Sequence, residues 1–282
     1  MSSPSSSVTE ARKALDRRLR EIRRESGLTG RALAERAGWH ESKCSRIEHG
    51  RTPPADADIR AYTFHCGAQG QTADLIAAAR AVEGMYIDWR RIERAGLKHL
   101  QQISTPLYER TRHFRDYQSG VIPGLLQSAA YTRAVLRTVV HLRQAPGDIE
   151  EAVSLRMDRQ RVLHSGGRRF VFLVEEWVLR TVIGDAGTMA GALGHLISVA
   201  SLPSVSLGII PMGVPRGGDW PTESFLIFDD SLVKVELVSA RLSVTQPSEI
   251  AEYTRTFAEL SAIAVRGVDA RRLITAAIDV LG

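Results

Sequence analysis

Within residues 30–49, GRALAERAGWHESKCSRIEH, one glycine limits the possible folds more than any other residue. Leu33, Ala34 and Ala37 give a helical apolar stripe that cannot run on through Gly38, and a new helix starts near Glu41. A sharp turn between two helices needs a residue that tolerates positive φ, which Gly38 supplies. It also needs a small side chain where the helices touch, which Ala34 supplies. Leu33, Ala37, Cys44 and Ile47 then form one apolar surface toward a neighbouring helix. Gly50 ends the second helix, and Pro53 and Pro54 close the unit.

The flanking sequence supplies the rest of a helical domain over residues 10–80. Ala11, Leu15, Leu19 and Ile22 form a stripe that Gly27 ends, and Thr29 is placed to cap the next helix. ADADIRAYTFHCG reads as a fourth helix with Ile59, Tyr62 and Cys66 on one face. A fifth is expected from Thr72 through LIAAARAVEGMYIDWRRIERAG. Residues 1–9, rich in serine, are expected to be a disordered tail. With Cys44 and Ile47 turned inward, Glu41, Ser42, Lys43 and Arg46 point outward, and Ser45 lies near the inner flank. This is helix-turn-helix geometry, in which the second helix lies in the major groove of DNA. Arg and Lys read guanine acceptors there, and Glu accepts from cytosine.

Charge agrees with that expectation. The chain carries 37 Lys and Arg against 32 Asp and Glu, a net +5. Residues 11–54 hold twelve basic and six acidic residues, +6, so everything else sums to −1. The basic excess is confined to one small region, as expected of a nucleic-acid reader.

Residues 81–282 have a different character. Helical patterns cover about 97–117, 124–137, 148–164, 188–201, 247–264 and 267–280. Short β-rich runs stand at RFVFLV (169–174), SVSLGIIP (204–211), ESFLIFD (223–229) and LVKVELV (232–238). Strands among helices without regular alternation predict an α+β domain behind an all-α one. Glu175 and Glu176 would point to opposite faces of a continuing strand, so they are no catalytic dyad. Trp177, Trp220, Phe225 and Phe228 are candidates for a pocket lining, although such aromatics are more often core. PRGGDWP (215–221) reads as a mobile loop or pocket rim.

Several chemistries are not expected. The eight histidines have no H-E-x-x-H or C-x-x-C among them, so no metal is expected. No nucleophile elbow or phosphate-cradling loop points to an enzyme or a cofactor. Two cysteines, Cys44 and Cys66, give no disulfide framework and suit a reducing cytoplasm. No secretory leader is read, and no window reaches the ~20 apolar residues of a membrane span.

Residues 15–66 resemble the Cro/C1-type (XRE) helix-turn-helix family, with SRIEHGRTPP close to its S-R-I-E-x-G-x-x-x-P pattern. The resemblance implies a five-helix domain that binds operator DNA, usually as a dimer. It implies Thr29, Arg31, Glu41, Ser42, Lys43, Arg46 and Arg51 as the DNA-facing set, and Arg23 with Glu48 as an ion pair joining helices one and three. Two positions depart from the pattern. Gly30 stands where many members have a phosphate-contacting Gln, so Thr29 or Arg31 would take that role. Cys44 replaces Val or Ile and is read as a core filler. VIPGLLQSAAYTRAVL (121–136), FVFLVEEWVLR and PSVSLGIIPMG are similar to a C-terminal domain of actinomycete regulators of the WhiJ-like and antitoxin-like type. Together these resemblances imply a cytoplasmic transcriptional regulator that is not an enzyme. Its residues 81–282 would dimerise the chain and sense a small molecule or a co-encoded companion protein. The alternative implied is an antitoxin-like protein that sequesters a small companion and autoregulates its operon.

Overall fold

Five short amphipathic helices account for the first part of the chain: α1 (Ser6–Glu25), α2 (Gly30–Arg36), α3 (Glu41–Glu48), α4 (Asp56–His65) and α5 (Thr72–Gly84). The computed structural model describes residues 6–84, 86–88, 96–143, 147–217, 223–237 and 240–282. Side chains recurring at helical spacing, Leu15, Leu19 and Ile22 of α1 with Leu33, Ala34, Cys44, Ile47, Ile59, Tyr62, Leu75 and Ile76, close a single apolar core. Ala37, expected in that core, is only half-buried and is the C-cap of α2. Gly38 has φ +66°, and Trp39 N donates to Ala34 O at 2.7 Å, which tightens the turn. Gly50 also has φ +66°, and a side chain there would run into the Asp16 carboxylate.

Two boundaries correct the sequence reading. Residues 6–9, expected in a disordered tail, belong to α1, and the remainder of that tail lies outside the described residues. The fifth helix stops at Gly84 and a short strand, β1 (Tyr86–Asp88), comes next. Glycine is a poor helix former, and Tyr and Ile favour extended backbone. The rest of that expected helix, 89–95, lies outside the described residues.

The chain divides into two compact units. One runs to Tyr86 and includes Leu242–Ala251; the other is Ile87–Arg241 with Glu252–Gly282. Leu242–Ala251 thus groups with the helical unit, although the sequence reading assigned it to 81–282. The second unit is α+β. Its helices are α6 (Leu97–Arg110), α7 (Ala129–Arg143), α8 (Ile149–Arg159), α9 (Glu176–Arg180), α10 (Ala186–Val199), most of α11 (Pro247–Ile263) and α12 (Gly267–Asp279). Its strands are β2 (His113–Gln118), β3 (Arg169–Glu175), β4 (Val205–Ile210), β5 (Phe225–Phe228), β6 (Leu232–Glu236) and β8 (Val265–Arg266). β1 and β7 (Ala240–Val244) lie where the two units divide.

These six strands pair in the order β6-β5-β2-β3-β4-β8. β2 is parallel to β3, with Phe114 opposite Phe170, and antiparallel to β5, with Phe114 opposite Phe228. β3 and β4 are parallel, with Phe172 opposite Leu207. Phe114 stacks on Phe170 at 4.6 Å between ring centres, and Met189, Ala192, Leu193 and Leu196 of α10 join the same core. The helix expected over 97–117 ends at Arg110, and β2 occupies the end of that range. Its burial explains the switch: Phe114 through Tyr117 are all buried, and both edges of the strand are hydrogen-bonded.

The VIPGLLQ stretch builds a structural knot. Ile122, Leu125, Leu126 and Tyr131 are core, and Gln127 is 1% exposed. Gln127 donates to Ile122 O at 2.7 Å, and its Oε1 accepts from Thr132 at 3.1 Å and Arg156 at 3.0 Å. Glu175, at the end of β3, is fully buried and holds Arg216 through both Nη atoms at 2.7 and 2.5 Å. Glu176 begins α9, and its Oε2 accepts from Met212 N at 3.0 Å. Both carboxylates therefore anchor the 211–217 segment, while 218–222 lie outside the described residues. The four aromatics proposed for a pocket do not assemble one. Phe225 and Phe228 are core, Trp177 is exposed and donates to Ser119 O at 2.7 Å, and Trp220 lies outside the described residues.

Candidate nucleic-acid interface

A two-turn helix offers two sides, and in α3 the inner one is fixed by a polar cluster as well as by apolar packing. Cys44, Ile47 and Glu48 are buried. Arg23 of α1 donates to both Glu48 carboxylate oxygens, from Nε at 2.5 Å and Nη2 at 2.8 Å, and from Nη1 to Leu28 O at 2.8 Å. Tyr62 of α4 donates to Glu48 at 2.9 Å, and Arg20 donates to the Glu48 backbone carbonyl at 2.7 Å. Cys44 Sγ lies 3.1 Å from the Tyr62 oxygen and 3.5 Å from Glu48. One carboxylate thus joins α1, α3 and α4. Burial alone would raise its pKa, but Arg23, with Tyr62 behind it, outweighs that and holds Glu48 below the ordinary carboxylate range. Burial pushes the Cys44 thiol up, which keeps it protonated and inert.

The ends of α3 are set as firmly. His40 is its N-cap, with Nδ1 accepting from Ser42 N at 3.3 Å and lying 2.8 Å from Ser42 Oγ. At the other end, Arg51 N and Thr52 N both donate to Arg46 O, at 2.8 and 3.2 Å. With Gly50 in the left-handed region, this is the closure expected of a glycine just past a helix end.

The outer side carries the candidate contacts. Glu41, Ser42 and Arg46 are exposed on α3, and Arg51 is exposed just beyond it. Arg46 has no side-chain partner among the described residues. Thr29 caps α2, its Oγ1 accepting from Ala32 N at 3.1 Å, and Arg31 is exposed in the first turn of that helix. Lys43 differs from the rest. It is half-buried, bonded to Asp58 of α4 at 2.6 Å, and 4.7 Å above the Trp39 ring. Sequence alone does not reveal the capping by His40, the pairing of Asp58 with Lys43, or the bond from Tyr62, expected only on an apolar face, to Glu48. An Asx-like position at His40 was the one local signal available; the other two act across helices. Gly30 leaves room that Cys44 partly fills, its Sγ lying 3.5 Å from where a Cβ would stand.

Among the described residues, no group of three or more His, Cys, Asp or Glu is placed to hold a metal ion. No described helix is long and apolar enough to cross a membrane.

Comparison with known proteins gives two matches to families. Residues 107–276 match a domain of unknown function (DUF5753), and residues 14–76 match a helix-turn-helix domain. Among solved structures, TrmBL2, an archaeal chromatin protein described as showing a novel mode of DNA binding, is 13% identical with a TM-score of 0.32. The likeness covers 61% of this chain and 52% of that one, so the chain spans about half the length of that protein. No curated protein matches the chain.

Proposed function

The chain belongs to the DUF5753 family, and from that premise, with a helix-turn-helix domain ahead of the family domain, we propose that it is a sequence-specific DNA-binding transcriptional regulator. The observation that carries this reading is the division of labour on α3. Glu48, Cys44 and Ile47 lock its inner side to α1 and α4, while Glu41, Ser42 and Arg46 stand exposed on a helix capped at both ends. Such a helix can enter the major groove without rearrangement. Phosphate neutralisation falls to Arg31 and Arg51, with the Thr29 hydroxyl beside them. Arg46 reads a base edge, and Lys43 joins only after leaving Asp58.

The second unit is read as the regulatory part of a cytoplasmic, non-enzymatic protein of the WhiJ-like type. One helix-turn-helix offers too few base contacts for discrimination in a genome, so two copies on a two-fold site are expected, with half-sites about 34 Å apart or a multiple of that. The second unit is taken to hold the dimer. The test is sequencing of DNA selected by the purified full chain from a random pool, repeated with Arg46→Ala. An inverted-repeat site that the variant no longer enriches supports the reading. A pool left unenriched by the native chain overturns it.

A further inference from the structure

In the second unit, one group of side chains has chemistry that the fold leaves unused. Asp116, Leu226 and Lys234 stand in register across β2, β5 and β6, so they share one face of the sheet, as do Phe114 and Phe228 two residues along. Tyr108 of α6 covers this face, 5.6 Å from the Phe114 ring and 5.4 Å from the Phe228 ring. Arg159 of α8 lays its guanidinium over Tyr108 at 4.6 Å and donates from Nη2 to Gln101 at 2.7 Å. Arg156, one turn earlier, donates from Nη1 to Gln127 at 3.0 Å. The buried Nε of each fork has no partner among the described residues. Neither arginine has an acidic partner there. Nor has Lys234, whose Nζ lies 5.7 Å from the Phe228 ring centre. Glu236 and Arg241, at the rim, pair with each other at 2.8 Å.

Buried cations are ordinarily paired. Tyr108, Arg156, Arg159 and Lys234 are each partly reached by solvent. Yet burial is the leading influence on all four, raising Tyr108, lowering Arg156 to about 10, lowering Arg159, and lowering Lys234 to about 8. The Nε atoms of Arg156 and Arg159 are themselves buried and unpartnered among the described residues, beside the Tyr108 ring that covers this sheet face. Lys234 is further depressed by Arg241, Arg159 and Arg110, with Glu236 opposing them. Burial raises Asp116 to about 7, which makes it a weak counter-ion near neutrality. This cluster therefore carries an excess of positive charge with unspent donors.

We propose that this cluster binds a small anionic molecule through a carboxylate or phosphate group, which accepts from the unspent guanidinium donors of Arg156 and Arg159 and is balanced by Lys234. Tyr108, partly exposed, supplies an apolar surface for the rest of the molecule. The proposal deepens the regulatory reading of the second unit and rests on it for its biological meaning, but its binding is measured without DNA.

The test is calorimetric titration of the full chain with inorganic phosphate and, separately, with citrate, at ionic strength held constant with sodium chloride. One saturable site is expected for at least one anion, and which of them saturates tells phosphate from carboxylate recognition. R156Q and R159Q should each weaken it about tenfold or more, as loss of a charge-assisted hydrogen bond does. R161Q, at an exposed residue paired to Asp158 at 2.9 Å, should leave it unchanged. Should either cluster variant fail to fold by circular dichroism, K234Q carries the same expectation. No saturable binding of either anion in the millimolar range overturns the proposal, as does equal weakening by R161Q. A bound anion that leaves operator affinity unchanged keeps the site and removes the sensing role.

Discussion

Replacing Glu48 with alanine removes one carboxylate on which three helices converge. Glu48 is 6% exposed, and its partner Arg23 is 13% exposed at the side chain. The truncation takes away two charge-assisted bonds from Arg23 and one from Tyr62, which is fully buried. Arg23 keeps Leu28 O, and Tyr62 keeps Cys44, so neither is wholly stranded. The cost is that of breaking a buried pair by removing one member, about 3–5 kcal/mol, and the retained contacts place it near the lower end. Glu41→Ala, on the exposed first turn of the same helix, forfeits only a helix-dipole contact of about 0.3–1 kcal/mol. Hydrogen exchange of the full chain reads both variants, through the protection of α1 and α3 amides. Glu48→Gln separates charge from shape and should fall between them. pH gives an independent reading. The folded pKa of Glu48 is depressed, so its contribution is present above the unfolded value of about 4.3 and is lost as pH falls through the folded value. The slope of stability in that acidic window should shrink in Glu48→Gln. Equal effects of Glu48→Ala and Glu41→Ala, about 1 kcal/mol or less, would refute the idea that this cluster sets the position of α3.

Three further outcomes are expected. In binding titrations Arg46→Ala should cost about 1–3 kcal/mol against operator and little against scrambled DNA, whereas Lys43→Ala should cost less because Lys43 must first leave Asp58. Arg216→Ala leaves the buried Glu175 without its cation, so limited proteolysis should cut first near 211–217; cleavage unchanged from the native pattern would count against the anchor. Asp116 is raised to about 7 from an unfolded value of about 3.9, so its effect on stability is most favourable below that lower value and is lost as pH rises toward 7, at up to about 1.4 kcal/mol per pH unit. Asp116→Asn should flatten that slope in denaturant titrations at pH 5 and pH 8, and an unchanged slope would show that another group carries it.

The helical unit was legible because its determinants are local. Leu33, Ala34, Gly38, Cys44, Ile47 and Gly50 fall within one short stretch, and each position states its own requirement. The elements 169–175, 225–228 and 232–236 showed themselves as apolar runs. β2 did not, because His113, Arg115, Asp116 and Gln118 break any alternation, and their partners come from elsewhere: Arg115 bonds to Asp230 and the Asp229 carbonyl. Lys43 reads from sequence as an outward-pointing contact because nothing near it announces Asp58 on the next helix. The cluster of the second unit was illegible for the same reason. Tyr108, Asp116, Arg156, Arg159 and Lys234 meet only through the register of strands and the packing of two helices.

The position of β2 at the centre of the sheet also bears on how the chain is made. This strand emerges early in synthesis, yet one neighbour, β3, begins at Arg169 and the other, β5, only at Phe225. Pairings so distant along the chain form slowly, whereas the helices of the first unit close over short separations and form fast. A nascent or truncated chain ending before residue 225 would leave one edge of β2 open, with Phe114 and Phe170 incompletely covered. That is a template for pairing with other chains. The second unit is therefore all-or-nothing: shortened forms should aggregate, while the helices of residues 6–84 close long before β5 is made.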